Sequence, residues 1–200
     1  MSRLLTGFVL GYHGCEKEVA EGIVAGGLDF KISANQNDWL GDGVYFWEAN
    51  PSKALDWANK VGCTEPAVVG AVIDLRNCLD LLNSSDQEEV ETAHQDLEKI
   101  YNQYKLSGSI DRMPENSKNG SHALDCMVIN FLHRSNELKN IPQYDTVRGM
   151  FLEVKPKLLY PTSAFFKDSH IQIAVRDTKA SIKGVFYPPE LKRKRNPKKK

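Results

Sequence analysis

The chain has 200 residues, 41% apolar and 26% charged, the balance of one soluble globular domain and not of a disordered, collagen-like or disulfide-framework protein. No run approaches the roughly 18 apolar residues of a membrane span, and residues 1–10 lack the apolar core of a signal peptide, so a cytoplasmic location is expected. The formal charge is zero, but residues 192–200 carry seven of the 26 basic groups and no acid, which leaves 19 bases against 26 acids, a net of −7, on the rest.

Residues 8–12 read as an apolar strand ending at His13-Gly14. From Glu16 to Ala25, Val19, Ala20, Ile23 and Val24 recur at helical spacing until Gly26-Gly27. Residues 32–40 are too rich in Asn and Asp for regular structure, and residues 44–47 form a second strand. Asn50 as N-cap and Pro51 in the first turn open a helix to about residue 60. Residues 66–75 are apolar enough for a strand inside a sheet.

A long polar helix follows over 86–104, with the stripe Val90, Ala93, Leu97, Ile100 and Tyr104. A loop over 107–120 leads to a helix over 122–138, then strands near 146–154, 170–176 and 182–186. Helices interrupt the strands without regular βα alternation, so the expected class is α+β. The expected organisation is a single domain over 1–188 and a basic, disordered tail over 189–200. Cys15, Cys63, Cys78 and Cys126 lack CxxC or CxxH spacing and read as scattered buried thiols. No metal is expected, because His122, His133 and His170 show no ligand spacing, and His94 lies on the polar helix.

Two segments thirty residues apart carry the chemistry: Gly11-Tyr12-His13-Gly14-Cys15 and Leu40-Gly41-Asp42-Gly43-Val44-Tyr45-Phe46-Trp47. Glycine lets a ligand approach the main chain closely. A His beside one such glycine and a Tyr after another could clamp a planar amide bearing a sugar, such as the nicotinamide riboside half of NAD.

Tyr12-His13-Gly14 resembles the first-strand motif of the ADP-ribosyltransferase fold, in the branch shared by diphtheria toxin and the poly-ADP-ribose polymerases. Gly43-Val44-Tyr45-Phe46 resembles that branch's second motif, and Lys53-Ala54 with Trp57 resembles the helix after it. His170-Ile171-Gln172-Ile173-Ala174-Val175-Arg176-Asp177 resembles the strand of the third catalytic residue. The resemblance implies an α+β split β-sandwich, two packed mixed sheets with peripheral helices, using NAD as co-substrate. The backbone of Gly14 would bind the nicotinamide carboxamide, His13 the adenosine-side ribose, and the rings of Tyr45 and Trp57 would sandwich the nicotinamide. Asn35 is either a turn residue or a further cofactor ligand.

Gln172 stands where the family's best-known members have Glu. An amide holds a hydroxyl but offers no charge. In the wider family this loss goes with transfer of a single ADP-ribose, and sometimes with loss of activity. Glu153, Asp145 and Asp125 are candidates for the missing carboxylate, and Arg148 for the pyrophosphate or the acceptor.

Plainer readings stand beside these. His13, Tyr45, Trp57 and Gln172 could be packing residues, Arg148 and Glu153 a salt bridge, and Asp125 a buried acceptor. The implied activity is mono-ADP-ribosyl transfer to a macromolecule, because the resemblance extends to stand-alone bacterial toxins and antiphage effectors. The basic tail favours RNA or DNA over protein as acceptor, and a toxin implies an antitoxin partner. The alternatives are a catalytically silent NAD- or ADP-ribose-binding module and a relative that removes a 2′-phosphate from RNA; Arg148 and Arg176 are thin support for the last.

Overall fold

The computed structural model describes residues 7–106, 113–117, 120–153 and 156–189. The expected tail lies outside the described residues except for Pro189, and much of the loop expected over 107–120 lies outside them too. Strand β1 (Phe8–Glu16) runs four residues beyond its predicted end. It continues because β3 (Pro66–Asp74) pairs with it along its whole length, from Phe8↔Asp74 to Glu16↔Pro66. Helix α1 (Lys17–Val24) follows and buries Ala20 and Ile23.

Strand β2 (Val44–Glu48) leads to helix α2 (Pro51–Lys60), whose start is as predicted: the Asn50 side chain accepts from the Lys53 N–H at 3.2 Å. Strand β4 (Cys78–Asp80) escapes sequence reading, because three residues are too few for a period to register. Helix α3 (Ser84–Leu106) begins two residues earlier than expected, and its buried Asp86 accepts from the Asp80 N–H at 2.8 Å. Helix α4 (Ala123–Leu138), β5 (Thr146–Phe151) and β6 (His170–Val175) come next. The one-turn helix α5 (Thr178–Ser181), also unforeseen, is capped by the Asp177 side chain on the Ala180 N–H and leads into β7 (Ile182–Phe186).

The chain is thus α+β. Its described strands form a mixed sheet in the order β4-β5-β6-β2-β1-β3-β7, with only β4–β5 parallel. Side chains alternate between faces, and residues directly opposite each other share a face. On one face Leu79, Val147 and Ala174 pack with Leu97 of α3 and Ile129 and Leu132 of α4. On that same face Tyr12, Trp47 and Val68 meet Ala54 of α2. The other face buries Phe46, Ile73, Ile173 and Val175 with Phe30, and receives α1 through Ala20 and Ile23. The narrowest join is between β1 and β2, whose register comprises Gly11↔Glu48 and Tyr12↔Trp47 alone.

Acid stability follows from the buried imidazoles. Burial first, and then the Arg176 charge, pushes His133 on α4 down to about 4 from an ordinary 6.5. The unfolded chain therefore binds a proton there that the folded chain refuses, so this stabilisation is complete above 6.5 and is lost as pH falls toward 4. Burial lowers His13 and His170 in the same direction. Urea denaturation across that range is expected to show a loss of about 3 kcal/mol from His133 alone. His133→Gln should flatten the profile by that share, and an unchanged slope would refute the assignment.

Candidate functional site at the parting of β1 and β2

The site begins where two strands separate. The Ala49 N–H donates to the Leu10 carbonyl at 2.8 Å, and two residues on Tyr12 faces Trp47. In an antiparallel pair, alternate residues turn their N–H and C=O toward the same neighbour. Leu10, Tyr12 and Gly14 therefore all aim these groups toward β2. The pairing ends at Tyr12↔Trp47, one step before Gly14 would meet Tyr45. The main-chain fork of Gly14 points into the gap.

His13 bridges that gap from the other face. Its Nδ1 lies 2.9 Å from the Tyr45 carbonyl oxygen, which only accepts, so Nδ1 carries the proton. The ring packs 5.5 Å from Phe30 and 5.7 Å from Phe46, and burial holds its pKa below the ordinary value, which keeps it neutral. Gly14 is required by its other neighbour: a Cβ there would lie 2.0 Å from the Ala54 carbonyl oxygen of α2. That absence of a side chain seats α2 directly on the seam.

Tyr45, Trp47 and Gln172 share the face beneath α2 and α4, because Tyr45 opposes Ala174 and Trp47 opposes Gln172. The Tyr45 hydroxyl donates to the Gly41 carbonyl and accepts from the Leu40 N–H, both at 2.9 Å. Burial pushes its pKa far above that of an ordinary phenol, so it stays protonated. Trp47 lies 5.9 Å from Trp57, which is 43% exposed on α2, and 6.5 Å from His170. Trp57 therefore meets Trp47, where Tyr45 had been the expected partner ring; Tyr45 points toward the loop that precedes β2.

Gln172, 8% exposed, is the polar centre of this face. Its Oε1 accepts from Trp39 Nε1 at 2.7 Å, and its Nε2 lies 3.0 Å from His170 Nε2. His170 Nδ1 lies 2.7 Å from the Asp168 carbonyl oxygen and so bears the proton, which leaves His170 Nε2 to accept from the Gln172 amide. Burial lowers the His170 pKa and agrees with a neutral ring. Trp39 reaches Gln172 because the residue beside it on β5 is Gly149, where a Cβ would stand 2.8 Å from the indole. Phe151 completes the group, 5.5 Å from Trp39, 5.3 Å from His170 and 5.6 Å from His122.

The other sequence-predicted residues divide. Arg148 lies on the opposite face from Gln172, donating from Nε and Nη2 to Glu48 at 2.7 and 3.1 Å and from Nη1 to Asp80 at 3.0 Å. The Glu48 hydrogen bonds raise its pKa further, and the group ties β5 to β2 and β4. Glu153 sits at the rim, where Lys53 bridges it at 3.3 Å and Asp168 at 3.2 Å. Asp145 braces a remote turn, accepting from Arg76 Nε at 3.2 Å and the Asn77 N–H at 3.1 Å. Asn35 is in a local turn, its N–H donating to Asp38 and its amide to Ser33. Asp125 accepts from Asn116 and faces His122. Arg176 donates to the Asp42 carbonyl at 2.8 Å.

Trp39, Trp47, Phe151, His170 and His122 were not singled out as site residues. Gly149 inside a strand and a tryptophan closing a polar loop are the signals that could have found Trp39. Among the described residues no group of three or more His, Cys, Asp or Glu is placed to hold a metal ion, and no described helix is long and apolar enough to cross a membrane. No family model, curated protein or solved structure matches the chain.

The placement of Arg148 yields a direct test. Arg148→Ala strands two largely buried carboxylates, and urea denaturation is expected to show a loss of about 3 kcal/mol. A loss below about 1 kcal/mol, the range of an exposed pair, would rule out the structural role.

Proposed function

We propose that this chain is an NAD-dependent mono-ADP-ribosyltransferase with the split-sandwich ADP-ribosyltransferase fold. One observation carries the reading: three motif blocks, more than a hundred residues apart at their extremes, lie on the adjacent strands β1, β2 and β6. The two-pair join of β1 and β2 also suits a sheet that splits, with β4-β5-β6-β2 on one side and β1-β3-β7 on the other.

In this reading the Gly14 N–H and C=O hold the nicotinamide carboxamide, and the half-exposed ring of Trp57 bounds the nicotinamide. His13, fixed through Tyr45, sets the edge of the ribose pocket. Cleavage of the nicotinamide–ribose bond passes through an oxocarbenium-like centre, as glycoside cleavage does. The neutral nicotinamide leaves with the bonding electron pair. The Gln172 carbonyl oxygen holds a ribose hydroxyl but supplies no charge, which fits transfer of one unit and no chain growth. The lysines and arginines of residues 192–200 support RNA or DNA as acceptor ahead of protein. The biological role proposed is that of a cytoplasmic toxin or defence effector held by an antitoxin.

One observation favours a second reading, a silent NAD- or ADP-ribose-binding module. The Gln172 oxygen that would meet the ribose is already occupied by Trp39 Nε1 at 2.7 Å.

The test uses NAD labelled on its adenine side, incubated with purified protein and separate pools of RNA, DNA and cell protein. Trp57→Ala is the cleaner control, because Tyr45 also anchors the Leu40–Gly41 turn while Trp57 is half-exposed. Losing one stacking ring should weaken NAD binding about tenfold or more, with the melting temperature nearly unchanged. Label entering one pool supports transfer and names the acceptor class. NAD binding without label supports the silent module, and no NAD binding defeats both.

A further inference from the structure

We infer that His122, oriented by Asp125, is the general base that accepts the acceptor's proton, in place of the carboxylate missing at position 172. The inference rests on the transferase reading and extends it to the class of acceptor.

His122 stands at the N-terminal end of α4, and its Nδ1 lies 3.2 Å from Asp125 Oδ2 one turn on. The other oxygen of Asp125 accepts from Asn116 Nδ2 at 2.7 Å. Asn116 Oδ1 in turn accepts from the N–H groups of Leu124 and Asp125, at 3.0 and 3.2 Å. The carboxylate is therefore fixed from both sides. A carboxylate on Nδ1 holds the proton there and leaves the Nε2 lone pair as acceptor, the arrangement a base needs.

That Nε2 is buried and has no hydrogen-bond partner among the described residues. His133 Nε2 and Ser181 Oγ share this condition, but neither lies among the rings around Gln172. His122 does: its ring is 5.6 Å from Phe151 and 6.5 Å from Trp39. Trp39 thus lies against His122 while its N–H occupies Gln172. An acceptor group reaches both polar residues by displacing this one indole.

The step balances without a further reagent. A lone pair of the acceptor's O–H or N–H group forms the bond to ribose C1′ as the C1′–nicotinamide bond breaks. Nicotinamide departs neutral with that electron pair, and the acceptor's proton passes to His122 Nε2. The resulting imidazolium keeps its Nδ1–H on Asp125. A base is needed for a hydroxyl or amine and is superfluous for a carboxylate, which is ionised at neutral pH. The acceptor class is therefore a hydroxyl or amine.

The experiment follows NAD carrying separate labels on nicotinamide and adenine, with wild type, His122→Gln, Asp125→Asn and His122→Gly. Against the acceptor pool that wild type labels, His122→Gln should lower kcat about a hundredfold with KM for NAD nearly unchanged. Asp125→Asn should lower kcat about tenfold or more, as loss of an orienting partner does. Added imidazole should restore turnover to His122→Gly, which a merely structural role would not allow. Wild-type kcat in His122→Gln, or a loss that imidazole does not rescue, overturns the inference and leaves the transferase reading standing. Wild type that releases no nicotinamide overturns both.

Discussion

The parting of β1 from β2 after Tyr12 and Trp47 is the constraint on which the rest of this molecule depends. A continuous ladder would have consumed the main-chain groups of Gly14 and Tyr45 in each other. Because it stops, a ring nitrogen of His13 takes the Tyr45 carbonyl, and the Gly14 fork is left facing the gap. The position can only be glycine, because the α2 backbone lies where a Cβ would be. A sheet interior is the ordinary place to satisfy backbone polar groups, so an opening inside one is a place where a ligand can be held by main chain.

The two faces of the sheet have separate tasks. Arg148, Glu48 and Asp80 concentrate their charges on one face and bind β5, β2 and β4 together there. The face under α2 and α4 is left with polar groups set among rings: the Gln172 amide, the His170 and His122 imidazoles and the indole of Trp39. Full charges remain at its rim, in Lys53, Glu153, Asp168 and Asp125. In such surroundings hydrogen bonds to a ligand are stronger than in water, and an unpaired polar atom is correspondingly costly.

Much of the frame was legible in the chain. The period of α1, the Asn50–Pro51 start of α2, the apolar run of β3 and the stripe on α3 are local signals, and each element appears within about two residues of where its pattern placed it. The run of β1 through Glu16 was missed because its cause is the partner strand β3, not the residues themselves. β4 and α5 were too short to show a period. At the site, the strands that carry Tyr45 and Gln172 were readable from their apolar runs, whereas their pairing and the Trp39 bond to Gln172, which spans 133 residues, leave no local trace. The engagement of Arg148 by two carboxylates, 100 and 68 residues away in sequence, was equally invisible.

All three tryptophans of the chain, Trp39, Trp47 and Trp57, surround this one face. One donates to a buried amide, one is enclosed, and one stands half in solvent. The tryptophan emission of the protein therefore originates at the site, with no indole elsewhere to dilute it. Anything that lifts Trp39 from Gln172 or covers Trp57 changes that emission, so the molecule carries its own optical gauge of occupancy.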